Sequence, residues 1–353
     1  MANLATTYQY IADILSFEIS NYELEKILSN PLFNWDNIVV EGSKHLVLPA
    51  IYCRLRSKKL THILPNDLNT YLAEITALNR DRNLAIIEQV KGLAKLFKVH
   101  SINHVFLKGA ALLVGDFYED IAERMVGDID VLIDEIHLQK AFDLLINEGY
   151  EPIAQTLGHD FFEHKHLPRL KTDKDICAVE LHKKLFVSYQ DNELRNANIL
   201  AQKQVRKAIC LPSLAHLMRH NVLNYQINDK GKLYNSISFR SAYDSIILSR
   251  KLSFHIDTND DKTLENYFNI LGLFFKDLKP LGSRKTFMAR FYLYKLNHIK
   301  FYKSWNRLLN LTYYLRIFLG RVPFFFSNKA YRLAVLNDRR RIFKYFKSVL
   351  KNS

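Results

Sequence analysis

Only three cysteines occur in the 353 residues of this chain, Cys53, Cys177 and Cys210, and they stand far apart in sequence. Neither a disulfide framework nor a cysteine metal site is expected from that spacing, and a reducing compartment suits them better. Glycine and proline are scarce, at 11 and 8 residues, which argues against a collagen-like or long low-complexity segment. No run of eighteen apolar residues occurs, so no membrane span is expected. The first residues, MANLATTYQYIADILSFEIS, lack the basic start, apolar middle and small-residue cleavage site of a secretory leader. The expected location is cytoplasmic. Acidic residues are almost missing from one region: residues 281–353 hold 17 Lys and Arg against Asp338 alone, a net +16. The whole chain is +14, so the other 280 residues sum to −2. The basicity therefore belongs to the C-terminal segment and calls for its own explanation.

What the chain does contain falls into three stretches. Residues 1–100 read as helices, with apolar residues three and four apart in LEKILSN, HLVLPAIYCRLRSK and the long LNTYLAEITALNRDRNLAIIEQVKGLAKLFKVH, for which Asn69 would be the N-cap. The period then changes. INHVFLKG is a short β-rich run ending in glycine, and ALLVGDFY reads as a helix directly after it. DIDVLID alternates, with Asp128, Asp130, Leu132 and Asp134 on one face and Ile129, Val131 and Ile133 on the other. EIHLQKAFDLLINEGY is an amphipathic helix with Gly149 as its stop. HDFFEHKHL and DICAVELHKKL suggest two more strands, joined by a polar turn from Pro168 to Asp175. Helices resume after Pro212. The expected class is α+β: a helical segment (1–100), a mixed core (101–210), a helical segment packed on it (211–280) and a basic, aromatic-rich helical tail (281–353).

Asp128 and Asp130 are unusual on an apolar strand. Two residues apart, they point the same way, roughly 6–7 Å apart at the backbone. At roughly 5 Å and an effective dielectric near 20 their repulsion is on the order of 3 kcal/mol. A basic partner, a raised pKa or a divalent cation must offset it. Hard cations such as Mg²⁺ take carboxylate oxygens together with substrate phosphates. Lys108 and Gly109, at the turn before the helix, suit close approach to an anion. Arg124, just before the strand, is a further phosphate candidate, or else pairs with Asp120 or Glu123.

At these residues the sequence resembles the DNA polymerase beta-like nucleotidyltransferases. A strand ending in a glycine turn, a helix, and Asp-hydrophobic-Asp on the next strand form that superfamily's signature. The turn here is LKGAAL, where the superfamily usually has Gly-Gly or Gly-Ser. The variant LKG…Y…R…GDIDVLI…GY is similar to the bacterial family of uncharacterised nucleotidyltransferases labelled NTP_transf_5. VELHKKL, HLMRH…FRSAYD and HLVLPAIYCRL resemble further parts of that family, over roughly residues 10–255.

The resemblance implies that Asp128, Asp130 and Glu180 hold Mg²⁺ or Mn²⁺ and carry catalysis, with Glu180 also helping to deprotonate the acceptor. It implies that Gly109, with Lys108, contacts the nucleotide phosphates, to which Arg124 remains the further candidate named above. The implied reaction is attack on the α-phosphate of a nucleoside triphosphate with loss of pyrophosphate. The acceptor stays open among RNA, protein, a sugar and a small molecule. The alternative is a nucleotide-binding or interaction protein without turnover.

Other residues carry weaker signals. His182 shares the face of Glu180 and either touches substrate or fills a structural place. Arg240 sits one turn from Asp244, a spacing an intrahelical ion pair explains, though it could reach the substrate pocket. His159, His164 and His166 invite a zinc reading, but no Cys or nearby acidic ligand completes a known spacing. His216 and His220 lie one turn apart on a helix, where packing is the simpler account. The tail mixes Lys and Arg with Tyr, Phe, Trp and Leu. That mixture suits an anionic membrane surface, with peripheral attachment at the inner membrane, or a nucleic acid, or a solvated helical face.

Overall fold

A computed structural model describes residues 3–153, 160–251 and 261–344. The chain begins with four short helices: α1 (Leu4–Leu15), α2 (Asn21–Leu28), α3 (Trp35–Lys44) and α4 (Leu48–Ser57). The first three start at Asn3, Ser20 and Asn34, whose side chains each accept a hydrogen bond from a backbone N–H of the first turn. Helix α5 (Asn66–Val99) runs 34 residues and begins after Pro65. Asn69 is therefore inside its first turn rather than its cap, because proline ahead of the helix already sets the entry.

The core sheet has five strands in the order β1-β2-β5-β4-β3. They are β1 (His104–Phe106), β2 (Ile129–Ile133), β3 (Glu151–Pro152), β4 (Leu170–Lys171) and β5 (Val179–His182). β1 is antiparallel to β2, β2 is parallel to β5, and β4 is antiparallel to both β5 and β3. Helix α6 (Lys108–Val114) follows β1, and α7 (Leu138–Asn147) follows β2. Gly149, with φ +90°, turns the chain out of α7 as expected.

All five residues of β2 are buried, on a strand set between β1 and β5, so both of its alternating faces are covered. Three strand expectations need correction. Asp128 lies just outside the strand. The segment 160–169 holds an isolated bridge, His166 to His182, instead of a strand, and β4 falls in what reads as a turn. Its partner β5 offers only four residues, too short an edge to order the whole tract.

After β5 come α8 (Asn196–Ala201), a hairpin of β6 (Gln204–Arg206) and β7 (Ile209–Leu211), then α9 (Leu214–Leu223), α10 (Gly231–Tyr234), α11 (Phe239–Ser249) and α12 (Lys262–Leu271). The chain continues in α13 (Phe287–Asn297), α14 (Ile299–Ser327) and α15 (Lys329–Asn337). Phe97, Phe106, Phe239, Phe268, Phe275 and Tyr243 are buried in one apolar core that joins α5, β1, α11 and α12. Each such ring contributes roughly 1.5–3 kcal/mol on burial.

Helix α5 does more than fill space. Its buried Asn79 and Asn83 donate to the carbonyls of Ile121, Ala122 and Arg124, at 2.6–3.2 Å. Gln89 exchanges two hydrogen bonds with the backbone of Cys177, at 2.9 and 3.1 Å. Arg82 donates to the carbonyl of Val126. One rigid rod thus satisfies the backbone leading into β2 and the backbone leading into β5, two stretches that would otherwise carry buried unpaired groups.

Candidate active site

The register of β2 on β5 sets Asp130 beside Glu180 and Leu132 beside His182. Asp130 is 5% exposed and His182 1%. Ligand atoms of Asp130, Glu180 and His182 all lie within 4.8 Å of one another, a reach that one metal ion can span. Lys108 donates to Asp130 Oδ1 at 2.6 Å, and His182 Nε2 lies 2.8 Å from the same oxygen. A carboxylate only accepts, so that histidine nitrogen carries the proton.

Burial pushes the Asp130 carboxyl up, but the Lys108 charge and the His182 hydrogen bond outweigh it and hold Asp130 well below the usual carboxylate range. Glu180 follows the same logic. Burial raises it, the His182 hydrogen bond lowers it, and the balance is a lowered value. Asp128 goes the other way: burial lifts it, and Arg169 pulls it only part of the way back, with Glu180 repelling. Arg169 Nη2 donates to Asp128. Its Nε lies 3.2 Å from Glu180 Oε1, close enough for attraction but not aligned for a hydrogen bond. His166 Nε2 stands 3.8 Å from Glu180 Oε2.

Three carboxylates therefore converge where Lys108 and Arg169 are the cations in contact. The donor set fits a hard divalent ion: Asp130 and Glu180 present carboxylate oxygens side by side, and Asp128, outside that close group, is joined to Glu180 through Arg169.

The turn departs from expectation in one respect. Lys108, not Gly109, adopts the left-handed backbone, with φ +51°. Gly109 is needed for packing instead: a Cβ there would meet Val126 Cγ2 at 2.9 Å.

A cavity of about 520 Å³, its open mouth included, begins at Lys108 and extends among α9, α11 and the segment between them. Its walls include Leu217, His220, Tyr225, Asp229, Arg124 and Arg240. Burial drives the His220 pKa down to about 3, so the imidazole is neutral. His216 is also buried, and neither histidine makes a metal cluster among the described residues.

Arg124 borders this cavity, but its Nε bonds both oxygens of Asp244 at 3.0 Å and its Nη1 donates to Met125 O. Tyr118 donates to Asp244 as well, at 2.6 Å. Two readings of the sequence are corrected by this triad. Asp120 pairs with Arg56 and Arg80, and Glu123 accepts from Tyr243, so neither holds Arg124. Asp244 serves Arg124 rather than Arg240. Arg240 makes no hydrogen bond or ion pair with a described residue, and burial beside Arg124 lowers its pKa.

Sequence reasoning passed over Arg169 as part of a polar turn, and took His166 only as a zinc or strand residue. A basic side chain eleven residues before Glu180 carries no periodic signal; only strand pairing brings it to the carboxylates. His159 lies outside the described residues.

A family model described as uncharacterised nucleotidyltransferase matches residues 31–264, about two thirds of the chain. No curated protein matches it.

Proposed function

Since this chain belongs to the uncharacterised nucleotidyltransferase family, we propose that it transfers a nucleoside monophosphate from a nucleoside triphosphate to an acceptor hydroxyl. The observation that carries this reading is the pairing of Asp130 with Glu180 across β2 and β5, with Lys108 on Asp130. Residues 101–210 act as the catalytic core, and the helices of 211–280 close the substrate cavity over it.

Asp128, Asp130 and Glu180 hold a divalent ion, Mg²⁺ or Mn²⁺. Bound there, it supplies Lewis-acid charge for the α-phosphate and the leaving pyrophosphate. The acceptor oxygen forms a bond to the α-phosphorus, and the bond from that phosphorus to the β-phosphate's bridging oxygen breaks. The hydroxyl proton passes to Glu180. Lys108 and Arg240, both on the cavity wall, take the negative charge of the phosphates, and Gly109 keeps the turn close beside them. Arg124 orients the cavity wall through Asp244. His182 holds Asp130 in place by its hydrogen bond.

The test is label transfer from each α-labelled triphosphate into fractionated RNA, protein and small molecules, with Mg²⁺ or Mn²⁺ and with Asp130→Asn as control. Label that enters a fraction only with the unsubstituted protein supports the reading. Equal transfer by the variant refutes it.

A second reading rests on Lys108, whose ammonium already occupies Asp130. A protein of this kind binds the nucleotide and does not turn it over. Saturable nucleotide binding without pyrophosphate release, with every fraction offered, favours it.

A further inference from the structure

Helix α14 is a surface helix turned inside out. It spans 29 residues, about 44 Å of axis, and has no buried residue. One of its sides is tied to the folded body. Asn310 accepts from the Tyr234 hydroxyl at 2.5 Å, Lys230 Nζ stands 4.0 Å above the Tyr313 ring, and Phe324 packs on Phe162. The opposite side should then be polar. It is apolar instead. Leu308, Leu311, Leu315, Leu319 and Phe326 follow at intervals of three, four, four and seven, which keeps them on one face, and each is 50–71% exposed. Phe301 extends the stripe by one further heptad.

The borders of the stripe are basic. At 100° per residue, Lys303 and Arg307 fall along one edge and Arg316 along the other, all exposed. Residues 299–337 contain no Asp or Glu. An apolar line with cations on both edges and no acid nearby, with Pro323 inside the helix between Leu319 and Phe326, complements an anionic surface with an apolar interior. We propose that this face of α14 docks on an anionic lipid bilayer. The leucines and phenylalanines enter the boundary between headgroups and acyl chains while the flanking Lys and Arg stay among the headgroup phosphates. The helix lies in the interface, since no described helix is long and apolar enough to cross a membrane. A second copy is the poorer occupant because it would bring two segments of net +16 together. A nucleic acid has no use for a leucine stripe.

The test is co-sedimentation of the full chain with phosphatidylcholine vesicles that contain phosphatidylglycerol, against vesicles of phosphatidylcholine alone. Binding to the anionic vesicles is expected to be roughly tenfold tighter or more, and to weaken with salt. The variant Leu311→Ser with Leu315→Ser keeps every charge and alters side chains that are half exposed, so its thermal midpoint stays put. It is expected to lose vesicle binding by roughly tenfold, because two apolar side chains that would enter the bilayer are removed. The proposal is overturned by no binding to either vesicle, equal binding to both, unchanged vesicle binding by the serine variant, or a dimer in light scattering that the serine variant dissolves. RNA retention that competes away vesicle binding and survives the serine substitutions also overturns it, in favour of nucleic acid.

Discussion

Lys108 Nζ lies 2.6 Å from Asp130 Oδ1, and the same lysine bends the backbone into the left-handed region at φ +51°. For a residue with a Cβ that conformation costs about 1–2 kcal/mol. The turn thus accepts strain in order to set an ammonium on the most deeply buried carboxylate of the site.

Loss of the ammonium leaves Asp130 charged and buried. Lys108→Met is expected to destabilise the fold by about 3 kcal/mol, the usual scale for breaking a buried pair. Lys108→Met with Asp130→Asn should recover most of that loss. Urea unfolding of both single variants and the double variant measures the coupling, and strictly additive effects would contradict a direct pair.

Asp128 and Asp130 are expected to differ in stability and agree in activity. Asp128→Ala affects a half-exposed carboxyl held by one exposed-edge arginine, so its unfolding midpoint should stay near that of the unsubstituted protein. Nucleotidyl transfer should nevertheless fall by roughly 10³-fold in either variant, the rate equivalent of several kcal/mol of lost charge stabilisation. Transfer that persists in both would remove the carboxylates from the mechanism.

The two arginines of the cavity should separate cleanly. Arg124→Ala removes the counter-charge of Asp244, which is 1% exposed and keeps only the Tyr118 hydroxyl, and should destabilise by about 3 kcal/mol. Arg240→Ala breaks no hydrogen bond or ion pair with a described residue. Its thermal midpoint should hold while triphosphate affinity drops by roughly tenfold, the value of one charge-assisted contact of about 1.5 kcal/mol. Calorimetric titration with a nucleoside triphosphate decides it, and unchanged affinity would take Arg240 out of the substrate pocket.

Glu123 predicts a pH dependence of stability. Burial lifts its pKa to about 7, while the Tyr243 hydroxyl and the Asp120 N–H hold it back only in part. Between its ordinary pKa of 4.5 and 7 the folded state binds more protons than the unfolded state. Its contribution to stability therefore falls as pH rises through that window, by on the order of 3 kcal/mol in all. Glu123→Gln is neutral throughout. It should be stabilised relative to the unsubstituted protein at pH 8 and near parity at pH 4.5. Chemical denaturation at both pH values checks this, and parallel pH profiles would contradict it.

Much of the site could be read along the chain because it is local. Asp130 breaks an apolar strand and Asp128 stands just before it, Glu180 sits in VELH, and the lysine-glycine turn follows β1. Each is a departure from propensity within a few residues, and a stretch of sequence displays such departures directly. The roles of Arg169, Arg124 and Asn79 could not be read this way. Each meets a partner 41, 120 or 43 residues away, and nothing in a short window distinguishes a surface arginine from one that neutralises a carboxylate.

The sequence by itself determined the order of elements, the places where helix period gives way to strand period, and the concentration of positive charge in residues 281–353. These follow from backbone preferences and composition, which act over a turn or two of chain. Tertiary structure alone decided which faces those elements bury. The β2 alternation became a strand buried on both faces, set between β1 and β5 in the sheet with α6 packed against it. The leucine period of α14, indistinguishable in sequence from a core-facing stripe, was left pointing away from the body. Periodicity specifies that a face is apolar; only packing determines what lies against it.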